Sequence, residues 1–227
     1  EICACLVGSE MCIRDRDKYP VMQVASAEGY VRDPELVIDF YNERRKQLLD
    51  VEPNAGHTGL AELEKDFNVT VVTQNVDNLH ERAGSTHVIH LHGELTKVCS
   101  SRDPYNPRYV RELKPEEYEV KMGDKAGDGS QLRPFIVWFG EAVPEIETAI
   151  GYVEKADIFV IIGTSMNVYP AAGLLNYVPR TAEVYLIDPK PVDTHSMRQI
   201  HVIQKGASEG VKAVSYTHLR AHETCAD

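Results

Sequence analysis

Two apolar runs that stop abruptly at polar residues restrict this chain to few folds. Val69 to Val72 ends at Thr73-Gln74-Asn75-Val76-Asp77-Asn78, and Ala156 to Ile162 ends at Gly163-Thr164-Ser165. A nearly continuous apolar run suits a strand buried on both faces of a parallel sheet, and its polar end then lies at the carboxyl edge, where open α/β folds bind ligands. A further strand, His87 to Leu91, brings His92-Gly93 to the same region.

The rest of the chain alternates to match. Asp33-Pro34 opens a helix, with Asp33 as N-cap and Pro34 in the first turn. Val37, Tyr41, Arg44 and Leu48 form its inward face. A second helix runs from about Ala55 to Asp66, and Asn78 to Ala83 is a short helix closed by Gly84. Strands are expected at Phe135 to Phe139, Glu183 to Ile187 and Ile200 to Gln204, and helices at Val143 to Lys155 and Ala171 to Tyr177. Strands alternating with helices imply an α/β fold with a mainly parallel, doubly wound, Rossmann-like sheet and a smaller helical and inserted lobe.

At 227 residues the chain is long enough for one domain with its own core. No apolar run reaches the roughly 18 residues of a membrane span. A net charge of −11 disfavours nucleic acid as the main partner and suits lysine-rich protein segments. Five cysteines, four of them crowded at the ends, give no disulfide framework, so a reducing, cytoplasmic compartment is expected.

Several residues carry chemistry. An imidazole titrates near pH 6.5 and accepts protons without large tuning, so His80, His87, His90 and His92 are all candidate bases. Asn75 and Asp77 offer an amide and a carboxylate to a ligand, yet such residues also cap helices routinely. Gly163, Thr164 and Ser165 suit close approach to a phosphate or ribose, and equally an N-cap. Tyr41 and Arg44, at i and i+3, share a helix face, where a phenol and a guanidinium together suit a carboxylate. A snorkelling arginine would show the same spacing. Gly140, after Val137-Trp138-Phe139, permits close backbone approach.

The blocks TQNVDNLHERAG and HLHGEL closely resemble the sirtuin signature, that of the NAD-dependent protein-lysine deacylases. RPFIVWFGEAVP, IIGTSMNVYPAAG and KGASEGV agree, so that the resemblance runs from about Asp17 to Ala213. The resemblance implies that His92, singled out by its HG context, is the catalytic base. It implies that Gln74, Asn75 and Asp77 hold the nicotinamide and ribose of NAD, with Gly163, Thr164, Ser165, Asp188 and Ala207 on the rest of the cofactor. The family often has Asn-x-Glu where this chain reads Leu186-Ile187-Asp188, which weakens the adenosine-side assignment. Val137, Phe139, Gly140 and Val168 would line the acyl-lysine channel. Tyr41-x-x-Arg44 resembles the motif of the bacterial-type subgroup that removes succinyl and malonyl groups, so acidic acyl-lysines are expected substrates alongside acetyl-lysine. An NAD glycohydrolase or ADP-ribosyltransferase and a non-catalytic binding module are the alternatives.

Many sirtuins hold zinc with two CxxC pairs between the HG and FGE motifs. Here the interval Thr96 to Leu132 contains only Cys99, so no zinc is expected, and packing and turns around Pro104, Pro107 and Gly127 to Gly129 take its place. The Rossmann-like parts are expected at about 56–95 and 132–213, and the small lobe at about 22–55 and 96–131, in a monomer. Glu1 to Arg16 and Val214 to Asp227 break the pattern and resemble translated sequencing-adapter read-through (SEMCIRDR, VSYTHLRAHET). The family's glycine-rich phosphate loop should precede Asp17 and is missing from the sequence, which implies weak NAD binding. A first strand at Ile2 to Val7 with Gly8-Ser9 as a shortened loop ranks second.

Overall fold

The computed structural model describes residues 1–6, 19–163, 171–191 and 199–215. Six parallel strands form the main sheet: β1 (Ile2–Leu6), β2 (Val69–Thr73), β3 (Val88–His90), β7 (Ile158–Ile162), β8 (Glu183–Ile187) and β9 (His201–Ile203). Their order is β3-β2-β1-β7-β8-β9, so the winding reverses beside β1. That reversal opens a crevice at the carboxyl edge, to which β2, β7 and β8 deliver their polar ends. The α/β, doubly wound expectation holds.

Period-two alternation places the core on both faces of this sheet. Phe159, Ile161, Val184 and Leu186 pack on Ala149 and Val153 of a helix over Ile146–Val153. Val160, Ile162, Tyr185 and Ile187 pack instead on Leu60 and Leu63 of a helix over Ala55–Leu63 and on Val211 of one over Ala207–Ala213. In chain order the helices are α1 (Val21–Val24), α2 (Ala27–Arg32), α3 (Pro34–Leu49), α4 (Ala55–Leu63), α5 (Leu79–Ala83), α6 (Ile146–Val153) and α7 (Ala207–Ala213).

Three strands form a second, antiparallel sheet in the order β5-β4-β6: β4 (Gly93–Ser100), β5 (Arg111–Glu112) and β6 (Leu132–Ile136). Helix α3 lies against it, begun as expected by Asp33, whose side chain accepts from the Leu36 amide. Its inward face is the expected one, with Val37, Tyr41, Arg44 and Leu48 all buried. In the interval whose one cysteine is Cys99, a hydrogen-bonded clasp joins the ends. Asp128 accepts from the hydroxyls of Ser100 and Ser130, each at 2.7 Å.

Three expectations change. The strand expected at Phe135 to Phe139 is Leu132–Ile136, and it pairs antiparallel with β4 rather than joining the parallel sheet. The peptides after Ile136 are drawn elsewhere: the Val137 amide donates to the His92 carbonyl and the Phe139 amide to the Ala25 carbonyl, each at 2.9 Å. The segment Ala171–Tyr177 is 3-10 rather than α-helical. Ile2–Leu6, ranked second as a strand, pairs with β2 on one side and β7 on the other, with Ile2 and Cys3 buried. An apolar strand with both edges satisfied is the most protected position a sheet offers. Val214 and Ser215 are likewise buried, continuing the packing of α7.

Candidate functional site

The site forms where β2 and β3 end. After Thr73, whose hydroxyl accepts from the Asn75 amide at 3.0 Å, the chain turns under the sheet edge and leaves Gln74, Asn75 and Asp77 almost wholly buried. Asp77 accepts from the Leu79 amide at 3.2 Å, so it begins α5 as well as facing the site. The capping and ligand-binding readings of this residue are compatible. Burial raises the Asp77 pKa, against the pull of the Leu79 amide and of His57 and His90.

His92 reaches the same place because Gly93 permits it. Gly93 has φ 81, and a Cβ there would collide with the Phe135 carbonyl oxygen. Only glycine lets β4 approach β6 so closely, and that approach brings the His92 carbonyl onto the Val137 amide. His92 and the segment after β6 are therefore joined through backbone. Burial lowers the His92 pKa, opposed by its hydrogen bond to the Gln74 backbone, so the ring is neutral near pH 7 and able to accept a proton.

The competing histidines have other surroundings. His87 packs its ring on Tyr152, with centroids 4.7 Å apart. His90 is bonded through both nitrogens, to the Asn75 carbonyl at 2.9 Å and to Glu81 at 2.8 Å. His80 is fully buried, its pKa pushed down to about 3 by burial and then by His57, whose ring lies 4.6 Å away. Of the four, His92 alone is a neutral, half-buried imidazole whose backbone is bonded to the Val137 amide.

On the opposite wall, Tyr41 lies buried beneath Trp138, whose indole donates to its hydroxyl at 3.1 Å. Arg44, 9% exposed, lies 4.5 Å over the Phe40 ring. Val137 is partly buried, whereas Phe139 is exposed and Gly140, at φ 90, has open space on the side where a Cβ would point. Gly163 and Asp188 stand at the carboxyl ends of β7 and β8, and Asp188 accepts from the Lys190 amide at 2.8 Å. Ala207 begins α7 against Gly56 of α4. Thr164, Ser165 and Val168 lie outside the described residues.

The buried Gln74 Nε2 and Asn78 Oδ1 have no hydrogen-bond partner among the described residues. Buried polar atoms are normally paired, so this edge fits a polar ligand. Among the described residues no group of three or more His, Cys, Asp or Glu is arranged to hold a metal ion, and no helix is long and apolar enough to cross a membrane.

The Sir2 family pattern matches residues 16–170. The chain belongs to the Sir2 family. It is 84% identical over 196 residues to the NAD-dependent protein deacylase of Bacteroides thetaiotaomicron, a match covering 86% of this chain and 84% of that protein. The corresponding deacylase of Helicobacter pylori is 49% identical over 189 residues, covering 83% and 80%. Among solved structures, a Sir2 homologue–NAD complex superposes with TM-score 0.80 at 30% identity, covering 97% of this chain and 89% of that one. Sir2Tm bound to a propionylated peptide gives 0.74 at 26% identity, covering 94% and 90%.

Residues that the sequence did not single out also build this sirtuin site. Arg45, beside the expected Arg44, donates to the Leu95 carbonyl at 2.9 Å and to Asn42 at 2.7 Å, tying α3 to β4. Arg133 pairs with Glu141 through both its terminal nitrogens, at 2.8 and 3.0 Å, and covers the Trp138 ring at 3.8 Å. The Trp138 amide donates to the same carboxylate at 2.8 Å, which fixes the loop after β6. The arginine and glutamate of RPFIVWFGE were visible as a pattern, but nothing in the sequence said that they meet.

Proposed function

We propose that this sirtuin removes acyl groups from protein lysines with NAD as co-substrate, and that acetyl, succinyl and malonyl groups are all accepted. The observation that carries this reading is the convergence of Gln74, Asn75, Asp77 and His92 at one sheet edge, with the His92 backbone bonded to the channel strand. NAD supplies a ribose carbon whose bond to nicotinamide breaks when the acyl oxygen of the lysine attacks it. Asn75 and Asp77 orient the carboxamide of that nicotinamide, and Gln74 reaches the ribose. His92, held neutral, takes the proton from a ribose hydroxyl, which then attacks the acyl carbon; the lysine nitrogen leaves that carbon as the free amine, and a water molecule adds there to complete O-acyl-ADP-ribose. Gly163, Asp188 and Ala207 serve the rest of the dinucleotide, and so do Thr164 and Ser165. Val137, Phe139 and Gly140 line the acyl-lysine channel, where the peptide adds as an extended strand.

Acyl preference rests on Tyr41 and Arg44, side by side on α3 and buried behind the channel wall. A guanidinium in an apolar setting binds a carboxylate strongly and can do so bidentately. The protein works without zinc, because Ser100, Asp128 and Ser130 close the interval in which related proteins carry thiolates. Its substrates are proteins and peptides rather than nucleic acid, and it acts as a cytoplasmic monomer.

Mass spectrometry of acetyl-, succinyl- and malonyl-lysine peptides incubated with NAD tests this reading. His92→Ala is expected to abolish turnover of all three. Arg44→Met is expected to suppress succinyl and malonyl removal and spare acetyl removal. Equal succinyl turnover by Arg44→Met and the unmodified protein would sink the acyl assignment.

A further inference from the structure

A Glu81–His90 pair lies just beneath the nicotinamide-facing residues, and neither member belongs to the site described above. His90 points Nδ1 at the Asn75 backbone carbonyl, 2.9 Å away, and Nε2 at a Glu81 carboxylate oxygen, 2.8 Å away. A carbonyl oxygen and an ionised carboxylate only accept hydrogen bonds, so both contacts are made at once only by an imidazole with a proton on each nitrogen. The ring is buried, whereas the Glu81 side chain is 40% exposed and keeps its charge solvated. We infer that His90 is a positioning residue: as an imidazolium paired with Glu81 it clamps the Asn75 backbone and thereby aims the Asn75 amide at nicotinamide.

The clamp joins three elements, since His90 ends β3, Asn75 follows β2 and Glu81 is in α5. Other titratable groups facing His90 are Asp77, Glu94 and His80. Burial opposes the charge on His90, but Glu81 and the Asn75 carbonyl outweigh it and leave its pKa raised, while that of Glu81 is lowered. A raised imidazole pKa means that the clamp, once Glu81 is ionised, is present below that value and loosens as pH rises through it.

The inference rests on the NAD reading, so its test has two arms. Nitrogen NMR of the histidine rings in the whole chain, with His90 assigned by its loss in His90→Asn, needs no turnover. Both His90 nitrogens are expected to be protonated at pH 7, and Glu81→Gln is expected to lower the titration midpoint. A neutral His90 ring at pH 7 overturns the inference whether or not the protein deacylates.

The second arm measures exchange of labelled nicotinamide into NAD in the presence of acyl-peptide. His90→Leu is expected to raise the nicotinamide half-saturation roughly tenfold, in line with losing a hydrogen bond to a charged group. The KM for acyl-peptide should stay within about twofold of its original value, and His90→Asn, whose amide replaces the Nδ1 donor, should recover most of the loss. The unmodified protein should lose nicotinamide affinity as pH rises, and His90→Asn should not. Folded variants with unchanged nicotinamide half-saturation, or with both constants rising together, would overturn it. Protonated His90 without any exchange would indict the NAD reading instead.

Discussion

Strands β7 and β8 bury Val160, Ile162, Leu186 and Ile187 at 2% exposure or less, packed between helices. Strands β4 and β6 also have apolar neighbours, but their connections to the rest of the molecule are polar. Arg133 pairs with Glu141, Arg45 reaches the Leu95 carbonyl, Asn42 donates to the Val120 carbonyl, and Asp128 gathers two serines. The β7–β8 part of the large sheet therefore draws mainly on apolar area, which is indifferent to pH. The small one draws on directed bonds, which hold a particular geometry and fail when a partner is lost or titrated. The candidate site lies where the two sheets meet, with the polar edge after β2 from the first and the loop after β6 from the second.

The sharpest break of this contrast is Glu141→Ala, which strands a nearly buried Arg133 guanidinium and frees the Trp138 amide. A loss of about 3–5 kcal/mol is expected from denaturant unfolding, because an uncompensated buried charge costs far more than the pair contributes. Leu186→Ala, in the large sheet, should cost about 2–5 kcal/mol with no dependence on pH. A loss below about 1 kcal/mol for the Glu141 variant, the size of an exposed pair, would mean that the small sheet is not held by this buried ion pair.

Acid separates the two regions further. Burial alone would raise the Glu141 pKa, but the Arg133 bonds outweigh it and hold the carboxyl below its usual value. Its contribution is present above the unfolded carboxylate pKa and is lost as pH falls through the lowered folded one. Asp128, held down at about 2 by its serine bonds, keeps its clasp until lower pH. Amide exchange over Leu132–Ile136 should accelerate in that acid range before exchange over Ile158–Ile162 does. His80 acts in the same sense but from higher pH, since its pKa of about 3 means that unfolding releases a base that takes up a proton. Below the ordinary histidine pKa it costs stability, and His80→Phe should flatten global unfolding between pH 6.5 and about 3. The smallest effect expected is Ser130→Ala, about 0.5–1.5 kcal/mol for one hydroxyl of the clasp, read as a shift in melting temperature.

Much of the site was legible in the primary structure because it depends on local pattern. Val69 to Thr73 alternates with neither turn nor charge, so a buried strand ending at Gln74 needs no tertiary information, and Asp33-Pro34 announces α3 in the same way. Tyr41 and Arg44 share a face by helix geometry alone. What was not legible depends on residues far apart in the chain. Trp138 meets Tyr41 across 97 positions and Arg45 meets Leu95 across 50. The Glu81–His90 pair looked from sequence like one histidine among several competing ones.

The sequence by itself determined the alternation of strands and helices, the polar ends of the strands and the glycine after His92, because these follow from periods of two and 3.6 residues and from backbone sterics. Only the tertiary structure decided that Leu132–Ile136 leaves the parallel sheet, that Ile2–Leu6 stands at its centre, and which histidine stays neutral and half-buried. Those outcomes turn on desolvation and on hydrogen-bond partners from distant segments, and neither exists until the chain has packed.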